Sequence, residues 1–399
     1  MTDEVVAWLA ERAVPLRDLT PGRGTADLAP FGAALDGVRV AGLGEATHGS
    51  REFFLLKHRL LEYLVEELGF TVVAMEASEA AAMAIDAYVR GAPGDAAALV
   101  EGLGFWTWST AEVLDVVEWL RRHNATARRK VRFIGFDPQH PGASLDALRT
   151  ELGDDPLLAP LAPLATARIG GAPLDPQVVA DAVRLEAALA AGGSQAARAH
   201  ARILRQLADL ATRPYAHTDA ERTLAFARDR HMADNITALL DDPAAKVAVW
   251  AHNGHIAKST VGSTPIPSMG SYLADRFGPA YYALGLLFAQ GEFRARRTRF
   301  GRVDAARPPV TFTVPRADNA TTVEARLFRA CPDDHLADLR GGPRPAAVEA
   351  WLRERLHLRV FGAAASRFTH KFTFGTGVLA DDYDGLALVT RTTASVPLP

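Results

Sequence analysis

Gly42-Leu-Gly-Glu-Ala-Thr-His-Gly-Ser-Arg51 is the stretch that decides how this 399-residue chain folds. The apolar run leading into it, Val38-Arg-Val-Ala-Gly-Leu43, predicts a short strand that stops abruptly before Glu45 and His48. A long amphipathic run from about Ser50 to Leu68 predicts a helix. Strand, polar turn with glycines, helix is how an α/β protein places reactive side chains at the carboxyl edge of its sheet. An acid and a base in such a turn form a candidate proton-transfer pair.

On a helical wheel, Phe53, Leu56, Leu60, Leu61, Leu64 and Leu68 share one face, with Arg51, Glu62 and Glu66 opposite. Lys57 falls in the middle of the apolar face. A charge there is costly unless paired. Either it snorkels past the end of the core, or it sits under the site and pairs with a carboxylate.

Three further apolar runs end in the same way. Thr71–Met75 ends at Glu76, Lys130–Phe136 at Asp137, and Ala245–Trp250 at His252 and His255. Singly, these endings have ordinary explanations: an Asp after a strand is often a helix cap, and a lone His is often structural. Four of them in one chain predict a shared polar site along one sheet edge. Phe105, Trp106 and Trp108 form an aromatic knot in a loop, read either as loop packing or as a pocket wall. Residues 155–175 are Pro/Ala/Gly-rich, and 176–240 are helical almost throughout, with no strand signal. Tyr281–Phe288 predicts another strand, with a hairpin return at 292–298 after Gly291. The alternation predicts an α/β fold: a mostly parallel central sheet with helices on both faces and a helical insertion. The expected division is core over 1–154, insertion over 155–240 and core again over 241–399.

The formal net charge is −3 and no Lys/Arg block stands out, which argues against a nucleic-acid partner. The single cysteine, Cys331, leaves no intramolecular disulfide and no cysteine-based zinc site. The amino end is not a secretory signal, and no stretch reaches the roughly 18 apolar residues of a membrane span. A cytoplasmic protein, monomeric or a small homo-oligomer, is expected, and the Ala/Arg/Gly/Pro-rich composition suggests a bacterial source.

A histidine near neutral pKa suits a general base that activates water, with a carboxylate fixing its tautomer. Lys57 and the second histidine of the His252/His255 pair are candidates to stabilise charge on an attacked carbonyl. No Gly-x-Ser-x-Gly elbow suggests a serine nucleophile. No cofactor is expected. A divalent metal on the same His and carboxylate side chains is the alternative, although no HExxH motif occurs. Gly42-Leu-Gly44 lacks the third glycine of a dinucleotide site.

At these residues the sequence resembles the erythromycin esterase family. The resemblance is carried by Gly44-Glu-Ala-Thr-His-Gly49, Glu52-Phe-Phe-Leu-Leu-Lys-His58, Ala74-Met-Glu76 and Gly135-Phe-Asp137. It continues through Asp229-Arg-His-Met-Ala-Asp234, Ala251-His-Asn-Gly-His-Ile-Ala-Lys258, Met269-Gly-Ser-Tyr-Leu273 and Tyr383-Asp-Gly385. It implies hydrolysis of a small-molecule ester, lactone or macrolide-like substrate by water, without a required metal, in antibiotic resistance or biosynthesis. By motif position, His48 corresponds to the general base, Glu45 and Glu76 to its carboxylate partners, and His252 and His255 to a second histidine pair. Arg230 and His231 come with the fifth motif as substrate-binding or supporting residues. The macrolide-resistance members carry Arg where Lys57 stands; Lys keeps the charge but not the planar fork. A non-hydrolytic biosynthetic enzyme (lactone-forming, acyl-transfer or proton-transfer) and a binding protein without turnover are the other readings of the same residues.

Overall fold

Val40–Leu43, Val72–Ser78 and Val247–Trp250 bury every one of their residues. Strands with no solvent-facing side must be covered on both faces, which is the situation of a parallel sheet sandwiched by helices. The computed structural model describes residues 3–139, 142–167, 169–260, 264–299, 302–319 and 321–399. Its principal strands are β1 (Ala13–Pro15), β2 (Val40–Leu43), β3 (Val72–Ser78), β4 (Arg132–Asp137) and β5 (Val247–Trp250). They continue with β6 (Tyr281–Arg299), β7 (Val310–Val314), β8 (His335–Asp338) and β9 (Gly385–Thr392). These belong to one 11-stranded sheet whose order is β1-β8-β9-β6-β2-β5-β3-β4, with β7 pairing off β6. From β9 to β4 every neighbouring pair is parallel. β8 and β1 extend that edge antiparallel. The mostly parallel sheet expected from the alternation is therefore the architecture.

β5 is late in the chain, yet it inserts between β2 and β3. The carboxyl ends of β2, β5, β3 and β4 consequently stand side by side.

The helices that bear on the site and the helical segment beside it are α1 (Arg51–Glu66), α2 (Glu79–Val89), α3 (Ala111–Thr126), α4 (Gly142–Leu152), α5 (Gln177–Gly192), α6 (Gln195–Ala211), α7 (Leu224–Ala238) and α8 (Met269–Phe277). α1 starts after Ser50, and Gly69 just beyond it takes φ +71°, where a side chain would be strained. Phe53, Leu56, Leu60, Leu61 and Leu64 are all at most 1% exposed. Burial of each such side chain contributes about 1.5–3 kcal/mol.

The helical segment between β4 and β5 has a core of its own, in which Leu185, Leu204 and Leu207 meet Leu161 and Leu164. Leu145 and Leu148 of α4 join the same cluster, so this helical unit is fed from before residue 155 as well.

One expectation fails in the sheet. Residues 292–298 do not return as a hairpin; β6 runs unbroken through Gly291. Gly291 lies at φ +130°, and a Cβ there would meet the Thr392 carbonyl oxygen at 2.2 Å. The glycine marks close approach of β9, not a turn. The strand then takes a new antiparallel partner, with 291–295 facing 310–314. Residues 296–298 pair in parallel with Ala364–Ser366.

Candidate active site

The turn after β2 is pinned from several sides. Gly44 donates to Leu284, Asn253 donates to the Glu45 carbonyl, Phe361 donates to Ala46 and Arg294 donates to Gly49. A Cβ on Gly49 would lie 1.9 Å from the Arg294 carbonyl oxygen, so only glycine permits this approach. The pinned turn aims Glu45 inward, fully buried, and leaves the His48 side chain 11% exposed.

Glu45 is held between two partners. Its Oε2 accepts from Lys57 Nζ at 2.6 Å and its Oε1 lies 2.7 Å from His48 Nδ1. Lys57 is wholly buried, also donates to the Ala251 carbonyl at 3.3 Å, and lies 4.7 Å from the Trp250 ring centre. Burial lowers the lysine, against the pull of Glu45, to about 8. It is still a cation at neutral pH and pairs with the Glu45 carboxylate. With Oε2 taken by Lys57, the other carboxylate oxygen of Glu45 faces His48 Nδ1, which is placed to donate to it. The basic Nε2 is then free to act. Of the two readings of Lys57, the structure shows the paired one. Lys57 does not line the cleft, however; its contact with the site is through Glu45.

The second half of the site is built on β3, β4, β5 and α7. The β3–β4 register shifts between Met75 and Ser78, an irregularity that brackets Glu76 and re-aims it. Glu76 Oε2 accepts from the backbone N–H of His252 at 3.0 Å. Its Oε1 accepts from Arg228 Nη2 at 2.7 Å and lies 3.3 Å from His255 Nε2. Arg228 also donates to Asp137 Oδ2 at 2.7 Å, and Gln139 donates to the same oxygen from its side chain at 2.6 Å. His255 Nδ1 lies 2.8 Å from Asp229 Oδ1, which also accepts from the Met269 N–H.

The electrostatics sort these groups. Burial would raise Glu76, but His255, Arg228 and His48 outweigh it and hold the carboxyl well below its usual range. Burial disfavours charge on His255, yet Asp229 and Glu76 raise it to about 10. Burial likewise opposes the charge on Arg228, and Asp137 and Glu76 raise it further. Two cations, Arg228 and His255, thus share the Glu76 oxygen. His252 goes the other way: burial and then the nearby His48 lower it to about 3. It is neutral at pH 7, its Nδ1 accepts from the Gly254 N–H at 3.1 Å, and its proton is on Nε2.

His48, Glu76, Asp137, Arg228, His252 and His255 border one cavity of about 330 Å³. Phe105, Trp106 and Trp108 form part of its wall. Trp108 donates from Nε1 to the Glu76 carbonyl at 2.8 Å and meets the His48 ring edge-on at 5.5 Å. The His48 and His252 rings lie 5.1 Å apart. The aromatic knot is therefore pocket wall as well as packing.

Two predicted residues are elsewhere. Arg230 and His231 border a separate cleft of about 340 Å³, where His231 Nε2 lies 2.8 Å from Asp209 of α6. A helix turns about 100° per residue, so Arg228 and Arg230 face nearly opposite ways. The arginine that enters the site is Arg228, just before the motif that suggested Arg230. Sequence reading also passed over Asp229, which lay inside that motif, and Gln139, two residues after Asp137. Gly362 and Ala363, which close the cavity from a distant loop, carry no sequence signal at all.

Among the described residues, no group of three or more His, Cys, Asp or Glu side chains is disposed to hold a metal ion. Nor, among them, is any helix long and apolar enough to cross a membrane.

The model of the family described as erythromycin esterase matches residues 65–392. The chain belongs to the erythromycin esterase family. An Escherichia coli protein named erythromycin esterase type II is 26% identical over 340 residues, covering 72% of this chain and 78% of its own. The putative hydrolase YbfO of Bacillus subtilis (strain 168) is 23% identical over 327 residues, 71% of this chain and 72% of its own. Among solved structures, a succinoglycan biosynthesis protein is similar with a TM-score of 0.81 at 23% identity, over 100% of both chains. A mutant of erythromycin esterase EreC in its open conformation gives a TM-score of 0.71 at 17% identity, over 96% of this chain and 98% of that one. Such structural likeness speaks for the shared fold. Family membership and relatives named as hydrolytic enzymes support a hydrolase of this family.

Proposed function

We propose that the protein hydrolyses a carboxylic ester or lactone by attack of a water molecule that His48 deprotonates. The observation that carries this reading is the chain Lys57–Glu45–His48: two buried charges fix one imidazole with its second nitrogen free at the cavity that Arg228, His252 and His255 also border. An imidazole held by a carboxylate at Nδ1, with its other nitrogen at a cavity, is the arrangement that water activation needs.

The proton of water passes to His48 Nε2 as its oxygen bonds to the carbonyl carbon. The carbonyl oxygen gains the negative charge, and Arg228 and His255 supply positive charge at the same cavity to offset it. As the tetrahedral centre collapses, the ester C–O bond breaks and the His48 imidazolium returns its proton to the leaving alkoxide. Glu45, held by Lys57, accepts from Nδ1 and stabilises that imidazolium.

The reading dispenses with a metal because the donor set does. Glu45 is neutralised by Lys57, and Glu76 and Asp137 by Arg228. A divalent ion would enter beside buried cations that already satisfy those carboxylates. A cavity of about 330 Å³ is at the small end for a drug-sized ligand, so it takes the reacting ester while a larger substrate extends outward.

The test is mass spectrometry of an ester and lactone panel with wild type and His48→Ala. Products heavier by one water are expected from wild type, with kcat/KM lower by about 10²–10⁴ in the variant. A fully active, folded His48→Ala protein sinks the mechanism. Products formed without added water point instead to acyl transfer or cyclisation.

A further inference from the structure

A second cavity, of about 830 Å³, is lined by the chain segment that continues from the site's Ala363. Arg297, Arg299, Arg307 and Arg367 line it together with Asp304 and Phe368. Between residues 294 and 307 the chain carries six arginines against one aspartate. A charge count over the whole chain hides this run, and the sequence reading that no Lys/Arg block stands out is corrected here. The one aspartate is matched by Arg307 at 3.6 Å. Arg296 is turned aside and donates to the Ala305 and Arg307 carbonyls, holding the loop that shapes the cavity. Arg297 and Arg367 have no carboxylate within ion-pair distance among the described residues. Guanidinium groups gathered around one space repel each other unless an anion sits between them.

The two cavities are joined by chain. Ala363 lines the site cavity, Ala364–Ser366 pair in parallel with 296–298, and Arg367 follows directly. On the other side, Trp106 of the site wall carries the Arg294 guanidinium 5.3 Å above its ring. From Ala363 to Arg367 an extended chain spans roughly 13 Å. Phe368, 82% exposed, adds an apolar surface to the arginine-lined cavity itself.

We propose that this arginine-lined cavity is a subsite for an anionic group on the substrate, a phosphate, sulfate or carboxylate, carried about 10–14 Å from the ester that lies at His48. The proposal rests on the hydrolase reading above and narrows its substrate class. A free polyanion is the less suitable occupant, because the arginines surround one cavity next to the site and the chain as a whole is acidic, with net charge −3.

The experiment uses four esters that share an acyl group and a spacer of that length and end in methyl, carboxylate, sulfate or phosphate. kcat/KM is measured for wild type and for Arg297→Ala/Arg367→Ala, with thermal melting to confirm folding. Wild type is expected to prefer at least one anionic ester over the methyl ester by about tenfold or more, mainly through KM. In the double variant that preference falls to within about twofold while the methyl ester is unaffected, and the preferred tail identifies the anion. Equal rates for all tails in wild type, or an undiminished preference in the variant, overturn the subsite. If wild type hydrolyses none of the four, calorimetry with the corresponding amides separates the claims. Tail-dependent binding that the variant loses keeps the subsite and rejects the hydrolase reading; tail-independent binding rejects the subsite. Tight binding of a single-stranded oligonucleotide without any tail preference overturns it in favour of a polyanion surface.

Discussion

In the proposed mechanism His48 depends on two further side chains that do not line its cavity. Lys57 pairs with Glu45 inside the protein, and the other oxygen of Glu45 holds His48 Nδ1. Arg228 plays the comparable part in the other half of the site, but its guanidinium also borders the cavity. Its planar fork reaches Asp137 and Glu76 at once, with His255 Nε2 3.0 Å from Nη1. A lysine keeps the charge but not the fork. Arg228→Lys is therefore expected to lower kcat/KM by about 10²-fold, on the scale of losing one preorganised charge-stabilising donor. Arg230→Ala, two residues along, is expected to leave kcat/KM within about twofold, because its side chain lines a different cleft. Steady-state kinetics of the two variants on one ester decide between the two arginines. Equal losses contradict the assignment.

At the scale of elements, the site depends on strand ends being held in register beyond the ladder itself. Asn253, just after β5, accepts from the Leu286 N–H at 3.1 Å and donates to the Leu286 carbonyl at 2.9 Å. It therefore pairs with β6 as a strand would. A Cβ on Gly44 would come within 2.0 Å of its Oδ1, so the β2 turn closes around the same amide. Asn253→Ala strands two buried backbone groups of β6, each costing about 1–3 kcal/mol. The expected loss is about 2–4 kcal/mol in urea unfolding with an unchanged m value, accompanied by lower kcat as His252 and His255 lose their anchor. A variant as stable as wild type shows that water or a neighbouring group satisfies Leu286 instead.

Across the whole molecule, stability should depend on pH through histidines that the fold pulls in opposite directions. The folded state raises His255 from 6.5 to about 10. Its contribution is complete below pH 6.5 and is lost as pH rises through 10, at up to about 1.4 kcal/mol per unit. Burial lowers His252 to about 3 and His58, packed on Trp119, to about 4. Their contributions are complete above pH 6.5 and are lost as pH falls toward 4. From these groups, stability peaks near pH 6.5. Lys57, lowered to about 8, works against the His255 trend between pH 8 and 10.5. The cleanest window on the alkaline side is accordingly pH 6.5–8. Urea midpoints across pH 4–8 should fall on both sides of the peak, and His255→Gln should flatten the alkaline limb. An unaltered alkaline limb in that variant removes His255 as its cause.

Much of this was legible in the residues. Fully apolar runs such as Thr71–Met75 can only be strands buried on both faces, and the break at Glu45 and His48 marks where the chain leaves the sheet. Lys57 amid leucines posed a choice between a snorkelling and a paired charge, and the fold decided it by placing Glu45 against it. Three things needed the tertiary structure. Strand order is set by how helices pack across the sheet, which local pattern does not encode, so only the fold inserts β5 between β2 and β3 and brings His252 to His48. Helix phase at one residue decides between Arg228 and Arg230, and a motif does not carry that phase. Contacts between segments far apart in the chain, such as Gly362 against the turn at His48 or Arg367 beside Arg297, arise from chain closure and leave no trace in either segment alone. The turn Gly44–Ser50 thus brought its own acid and base, and the fold supplied the partners that make them a site.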